Sequence, residues 1–66
     1  MAVARVTKIT ASSTTSFQDA IDAGLTRAAS TLRGITGLEV ISQKAKVENG
    51  RITEYRATME VTFVLE

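Results

Sequence analysis

The sequence predicts an α+β fold of order β-α-β-β, with three strands forming a curved antiparallel or mixed sheet packed on one helix, in a single domain over residues 1–66. Three observations lead there. A run rich in β-branched residues opens the chain, a three-and-four spacing of apolar residues follows, and two alternating segments joined by Asn49-Gly50 close it.

The opening run "VARVTKITAS" predicts a strand from Ala2 to about Thr10, ended by the polar cluster "SSTTS". From Phe17 the apolar positions Ala20, Ile21, Gly24, Leu25, Ala28 and Leu32 fall on one helical stripe. Thr15-x-x-Gln18 has the capping-box pattern and Ser16-x-x-Asp19 approximates it; Arg33 is expected in the last turn and Gly34 at the stop. Gly24 and the alanines allow a sheet to approach the helix closely. The hydroxyls of residues 12–16 offer two readings, helix capping or a phosphate at the helix start.

"GLEVISQKAKV" predicts the second strand, and Asn49-Gly50 is the favoured pair for a two-residue type I′ turn, because both central positions need positive φ. An unbroken register from that turn pairs residues whose numbers share a constant sum. It sets Val40 opposite Met59, Leu38 opposite Val61, Glu39 opposite Glu60 and Gln43 opposite Arg56. One face then carries Leu38, Val40, Ala57, Met59, Val61 and Phe63, which cover the helix, with Tyr55 packing at the rim. The other carries Gln43, Arg56, Glu39 and Glu60 around apolar islands at Ile41, Val47 and Ile52. A monomer would leave those islands in water, so this face is expected to be partly interfacial.

The last strand is long for so small a chain. Arg51 to Leu65 would span roughly 45–50 Å at about 3.3 Å per residue, whereas a compact chain of this length has a radius of gyration of only about 11 Å and a breadth of roughly 28 Å. A domain of this size is marginal alone, and with no Cys and no His neither disulfides nor thiolate or imidazole metal sites can brace it. Long open edges with no Pro and no bulge signal favour closed homo-oligomeric assembly.

Composition excludes several functions. Cys–His and Ser–His–Asp catalysis are impossible without Cys or His, so no enzyme is expected. Eight basic residues against seven acidic ones, without runs of like charge, give no nucleic-acid or membrane-surface footprint. Arg5 and Lys8 interrupt the apolar residues of the N-terminal segment, which reads as neither signal peptide nor membrane span, so a cytoplasmic protein is expected. Glu39 facing Glu60 is the one close acid pair. It is neutralised by a cation from another subunit, splayed into water, or bridged by Ca²⁺ or Mg²⁺.

The segments "SFQDAIDAGLTRAASTLRGI", "GLEV" and "ENGRITEYRATMEVTFVLE", in this order over essentially the whole chain, resemble the dodecins. The resemblance implies a hollow dodecameric shell, non-enzymatic binding or storage, and flavin (FMN, FAD or riboflavin) stacked beside tryptophans at two-fold axes. Where many flavin-binding members carry that tryptophan, this chain has Gly37, and it contains no tryptophan at all. Arg56 aligns with a glutamine that hydrogen-bonds the flavin ring, and Lys44-Ala45 with a basic-glycine pair. The segment Ala11-Ser12-Ser13 stands where the family has a "GTS"-like sequence. The ligand-binding residues expected are Gly37, Lys44, Ala45 and Arg56 from the resemblance, with Gln43, which the register sets on the same face as Gly37 and Arg56. Arg56 stacks on a ring or pairs with a phosphate, or else forms an ion pair with Glu54, Glu60 or a neighbouring subunit. The ligand expected is a weakly held flavin or another planar, phosphate-bearing molecule such as coenzyme A. The other reading is a structural or cation-binding shell with Glu39 and Glu60 as metal ligands.

Overall fold

The computed structural model describes residues 3–65, in the order β1 (Val3–Ser13), α1 (Phe17–Thr31), β2 (Ile35–Glu48) and β3 (Arg51–Leu65). The expected first residue of β1, Ala2, lies outside the described residues. All pairing is antiparallel, and β3 is central in the order β1-β3-β2.

β1 runs three residues past the predicted end at Thr10, because long β3 continues to pair with it as far as Ser13 opposite Tyr55. The hydroxyls of Thr10 and Thr58 meet across the two strands at 3.0 Å. The helix starts at an extended Ser16, whose Oγ accepts a hydrogen bond from the Asp19 backbone N–H at 3.0 Å. The cap is therefore the Ser16/Asp19 pattern rather than Thr15/Gln18, and the Gln18 amide instead donates to Asp22 Oδ1 at 3.0 Å. Ser13 ties the entry down, accepting from the Thr15 N–H at 2.9 Å and donating to Asp19 Oδ2 at 2.6 Å.

The helix ends earlier than the stripe suggests. Leu32 is its C-cap and Arg33 lies beyond it, so no basic residue occupies the last turn. Ser30 and Thr31 donate their hydroxyls back to the carbonyls of Arg27 and Ala28, side-chain bonds that compete with continued helix. Gly34 then turns the chain at φ +73°, and its carbonyl accepts from the Val64 N–H at 2.9 Å. Asn49 (φ 53°) and Gly50 (φ 75°) make the tight turn between β2 and β3.

The buried core is Ala20, Ala57, Met59 and Val61, with Ile9, Ala11, Ile21, Ile35 and Leu38 packed against it. Gly24 permits the closest approach: a Cβ there would stand 3.0 Å from the Ala11 Cβ and 3.1 Å from the Met59 Cε. The helix packs chiefly on β1 and β3. That leaves the far half of β2 bare, and residues 43–50 are all exposed. The molecule measures 52 × 19 × 13 Å with a radius of gyration of 13.6 Å, above the roughly 11 Å of a compact chain. The β2–β3 arm overhangs the body, as the length of β3 implies.

The hairpin register is not continuous. Val47 pairs with Ile52, but Lys46 pairs with Glu54, so Thr53 is an extra residue in β3. Val40 pairs with Met59 and Ser42 with Thr58, so Ile41 is an extra residue in β2 and restores the original offset. A third irregularity at Thr36 lies between the Ile35/Phe63 and Gly37/Thr62 pairs. The sequence carried no glycine or proline signal for the bulges at Thr53 and Ile41.

Candidate functional site

The sheet face turned away from the helix is built in rows across three strands. The rows run Ser12–Arg56–Lys44, Thr10–Thr58–Ser42, Lys8–Glu60–Glu39 and Val6–Thr62–Gly37. One end is cationic, the middle is hydroxylic and then mixed in charge, and the other end is small and apolar.

The two offset bulges correct the predicted site. Between them every β2 residue is shifted by one, and a one-residue shift moves each side chain to the opposite face. Gln43 lies opposite Ala57, not Arg56, and so belongs to the helix-side face together with Ala45, opposite Tyr55. Lys44 is the residue that faces Arg56. Lys44, Ala45, Lys46 and Arg56 line an open depression of 330 Å³ at the foot of the arm.

Within this depression Arg56 is engaged by Glu54 through its Nε, two residues away on the same face. Lys46 lies 3.6 Å from Glu48, both well exposed. Lys44 makes no ion pair among the described residues. Like charges directly opposite one another on a sheet are destabilising, so the Lys44/Arg56 row favours an anion, and Glu54 supplies only part of that charge.

Gly37 is far from this cluster. It lies opposite Thr62, six residues along β3 from Arg56, which is about 20 Å at the usual rise. One chain therefore does not bring Gly37 together with Lys44 and Arg56. The Gly37 backbone is not in the left-handed region, and a Cβ there would meet only the Thr62 side chain at 3.8 Å. A side chain at this position would extend over open sheet.

Glu39 does face Glu60, because the two bulges cancel before that row is reached. The sequence reading missed Lys8, which lies opposite Glu60 on the other side and places a basic residue of the same chain in that row. Its position depends on β1–β3 pairing across a span of 52 residues, for which the sequence offers no turn to count from. No group of three or more acidic side chains converges among the described residues, so the pair gains no third carboxylate. Tyr55 packs edge-on against Phe17 with ring centroids 5.0 Å apart, the packing role expected for it.

Comparison with known proteins places this geometry. The Dodecin family profile matches residues 3–66. The dodecin from Streptomyces davaonensis is similar at a TM-score of 0.93 and 32 % identity, over 98 % of this chain and 96 % of that one. An arginine-to-alanine mutant of the Thermus thermophilus dodecin gives 0.95 and 30 %, over 100 % and 98 %. A calcium-chelating immunodominant antigen described as a calcium dodecin, from Mycobacterium tuberculosis, gives 0.83 and 32 %, over 97 % and 91 %. No match was found among curated proteins. Strand order, hairpin, helix and whole-length similarity agree: the chain belongs to the dodecin family.

Proposed function

We propose that the chain is a non-enzymatic binding and storage protein that assembles as a dodecameric shell and holds a flavin, or another planar phosphate-bearing ligand such as coenzyme A, with modest affinity. The observation that carries this reading is the Lys44/Arg56 row, two cations side by side on the open face whose charge Glu54 offsets only in part. A phosphate meets it with charge-assisted hydrogen bonds. The planar part of the ligand finds no aromatic partner at Gly37. Because Gly37 and Arg56 stand about 20 Å apart, a flavin that uses both positions draws them from different subunits, which ties binding to assembly. Titration of the purified protein with FMN and with riboflavin, followed by flavin fluorescence, tests the reading. Tighter binding of FMN that weakens in Lys44→Ala supports it, and equal affinity for the two flavins refutes the phosphate role.

A second reading, a structural or cation-binding shell with a lapsed flavin site, is favoured by Glu39 facing Glu60 and by the calcium binding of the mycobacterial relative. Calorimetric titration with Ca²⁺ discriminates. Heat that disappears in Glu39→Gln supports this second reading, and no heat removes it.

A further inference from the structure

The tip of the arm carries a reactive pair. Asn49, the chain's single asparagine, is followed by Gly50, and both are exposed. An asparagine side chain is open to attack by the backbone nitrogen of the next residue when that residue has no side chain to obstruct the approach. Gly50 has none, and beyond its chain neighbours no heavy atom lies within 4 Å of the place where its Cβ would stand. The Gly50 N–H donates to no backbone carbonyl among the described residues. The nearby Thr53 hydroxyl donates to the Lys46 carbonyl and to Glu48 Oε1, each at 3.4 Å, without engaging the Asn49 amide.

The backbone restrains this pair. Asn49 is the only non-glycine residue with positive φ among the described residues, at 53°, and Gly50 stands at 75°. The nitrogen reaches the side-chain carbon only when the chain leaves this left-handed turn, so the tip must open first. Little resists opening. The turn is closed by two pairs, Glu48 with Arg51 and Val47 with Ile52, before the extra residue Thr53 interrupts the ladder. Residues 47–52 are all exposed, so no packing holds the tip shut.

We propose that Asn49 is a self-modifying site, exposed to reaction when this short tip opens and converted there to isoaspartate. The Gly50 nitrogen gives up its proton and bonds to the Asn49 Cγ, the Cγ–Nδ2 bond breaks, and ammonia leaves with the proton. Water then opens the cyclic imide. Attack at the former backbone carbonyl frees an α-carboxylate and leaves the chain running through Cγ, whereas attack at Cγ gives aspartate. No electrons are exchanged, and water is the sole co-reactant. The isoaspartyl backbone is longer by a methylene and places a new carboxylate beside Glu48, so the two-residue turn does not re-form. The tip then stays open as far as Thr53, and the ladder resumes at Lys46 and Glu54.

The single asparagine makes the site readable by mass. Wild-type protein is held in warm, mildly alkaline buffer, folded and in urea, and sampled by intact mass, peptide mapping and enzymatic methylation of isoaspartyl groups. An amide-to-acid mass gain should appear at Asn49 in both, slower in the folded chain by about 10- to 100-fold, the range of a local opening well short of global unfolding. Asn49→Gly, which keeps a Gly-Gly type I′ turn, should gain no mass. In the converted protein, hydrogen exchange should quicken over residues 47–52 and stay unchanged at Met59 and Val61. Isoaspartate at Asn49 with that exchange pattern supports the proposal. It is overturned by a folded chain that stays intact while the unfolded chain converts fully, by equal rates in the two, by aspartate alone, or by a mass gain in Asn49→Gly. Exchange that spreads past Thr53, or that does not change, overturns the bulge as the boundary of the opened tip.

Discussion

The two ends of β3 differ in what covers them. From Ala57 to Val61 the strand passes beneath the helix, where alternate residues Ala57, Met59 and Val61 are completely buried. From Arg51 to Thr53 the same strand lies in the open, with Ile52 half exposed against an equally bare Val47. The chemistry of the two stretches is similar, since both alternate apolar and polar residues. What separates them is whether α1 reaches. The helix has 15 residues, about 22 Å at 1.5 Å per residue, whereas the molecule is 52 Å long. Alternation thus predicts which residues seek cover without saying whether cover comes from the same chain. In this fold one end is covered by its own helix and the other is left bare.

The largest effect expected from breaking this comparison lies in the arm. Lysine at Val47 or at Ile52 leaves the isolated chain almost unaffected, because both positions are solvated there. In an assembled interface an unpaired ammonium costs several kcal/mol, on the order of 3 or more. Light scattering should show loss of the assembly for either variant, while far-UV circular dichroism changes little. Unchanged mass in both would mean that the arm is free in the assembly. The covered half responds in the opposite sense. Met59→Ala removes a fully buried side chain and should cost about 2–5 kcal/mol in denaturant unfolding. A loss below about 1 kcal/mol would show that the core beneath the helix is not what holds the monomer together.

Much of this division is legible in the residues. The helical stripe, the Asn49-Gly50 turn and the alternation of β3 each follow from local rules, and together they lead to the β-α-β-β order and the overhang. The Glu39/Glu60 pair follows as well, because the bulges at Thr53 and Ile41 cancel before that row is reached. What was not legible lies between those bulges. An extra Thr or Ile leaves no mark in composition, yet it exchanges Gln43 for Lys44 as the neighbour of Arg56 and changes the chemistry of the site from an amide to a second cation. Lys8 opposite Glu60 was hidden for another reason: strands joined through a helix have no turn from which to count a register.

A gain of function probes the open face at its other end. Base–aromatic stacking is worth about 1–3 kcal/mol, so Gly37→Trp should tighten flavin binding by about 5- to 150-fold and deepen fluorescence quenching, since an indole can donate an electron to the excited ring. The backbone permits it, because Gly37 lies outside the positive-φ region and its missing Cβ faces only Thr62 at 3.8 Å. Nanomolar riboflavin binding by the wild type would show that another group already replaces the tryptophan. No gain in the variant would show that the ring does not lie over Gly37.

The smallest effect gives the sharpest contrast, because the same substitution is made at both sites. Alanine in place of glycine lowers the entropy of the unfolded chain, a stabilisation of about 0.4–1 kcal/mol where the native backbone tolerates it. At Gly37 nothing opposes that gain, since the added methyl meets the Thr62 Cβ at an ordinary 3.8 Å. Gly37→Ala should therefore be neutral or stabilise by a few tenths of a kcal/mol up to about 1. At Gly24 the helix interior adds a propensity gain of up to about 1 kcal/mol, but the methyl arrives 3.0 Å from the Ala11 Cβ and 3.1 Å from the Met59 Cε. The Met59 side chain can bend away, whereas the Ala11 Cβ moves only with its strand. Overpacking of this kind costs about 1–3 kcal/mol, so Gly24→Ala should be a net loss of up to about 2 kcal/mol. Urea unfolding of the two variants beside wild type decides the matter. If Gly24→Ala stabilises as much as Gly37→Ala, the helix does not press on the sheet as closely as the structure places it, and the contrast between covered and open halves loses its packing basis.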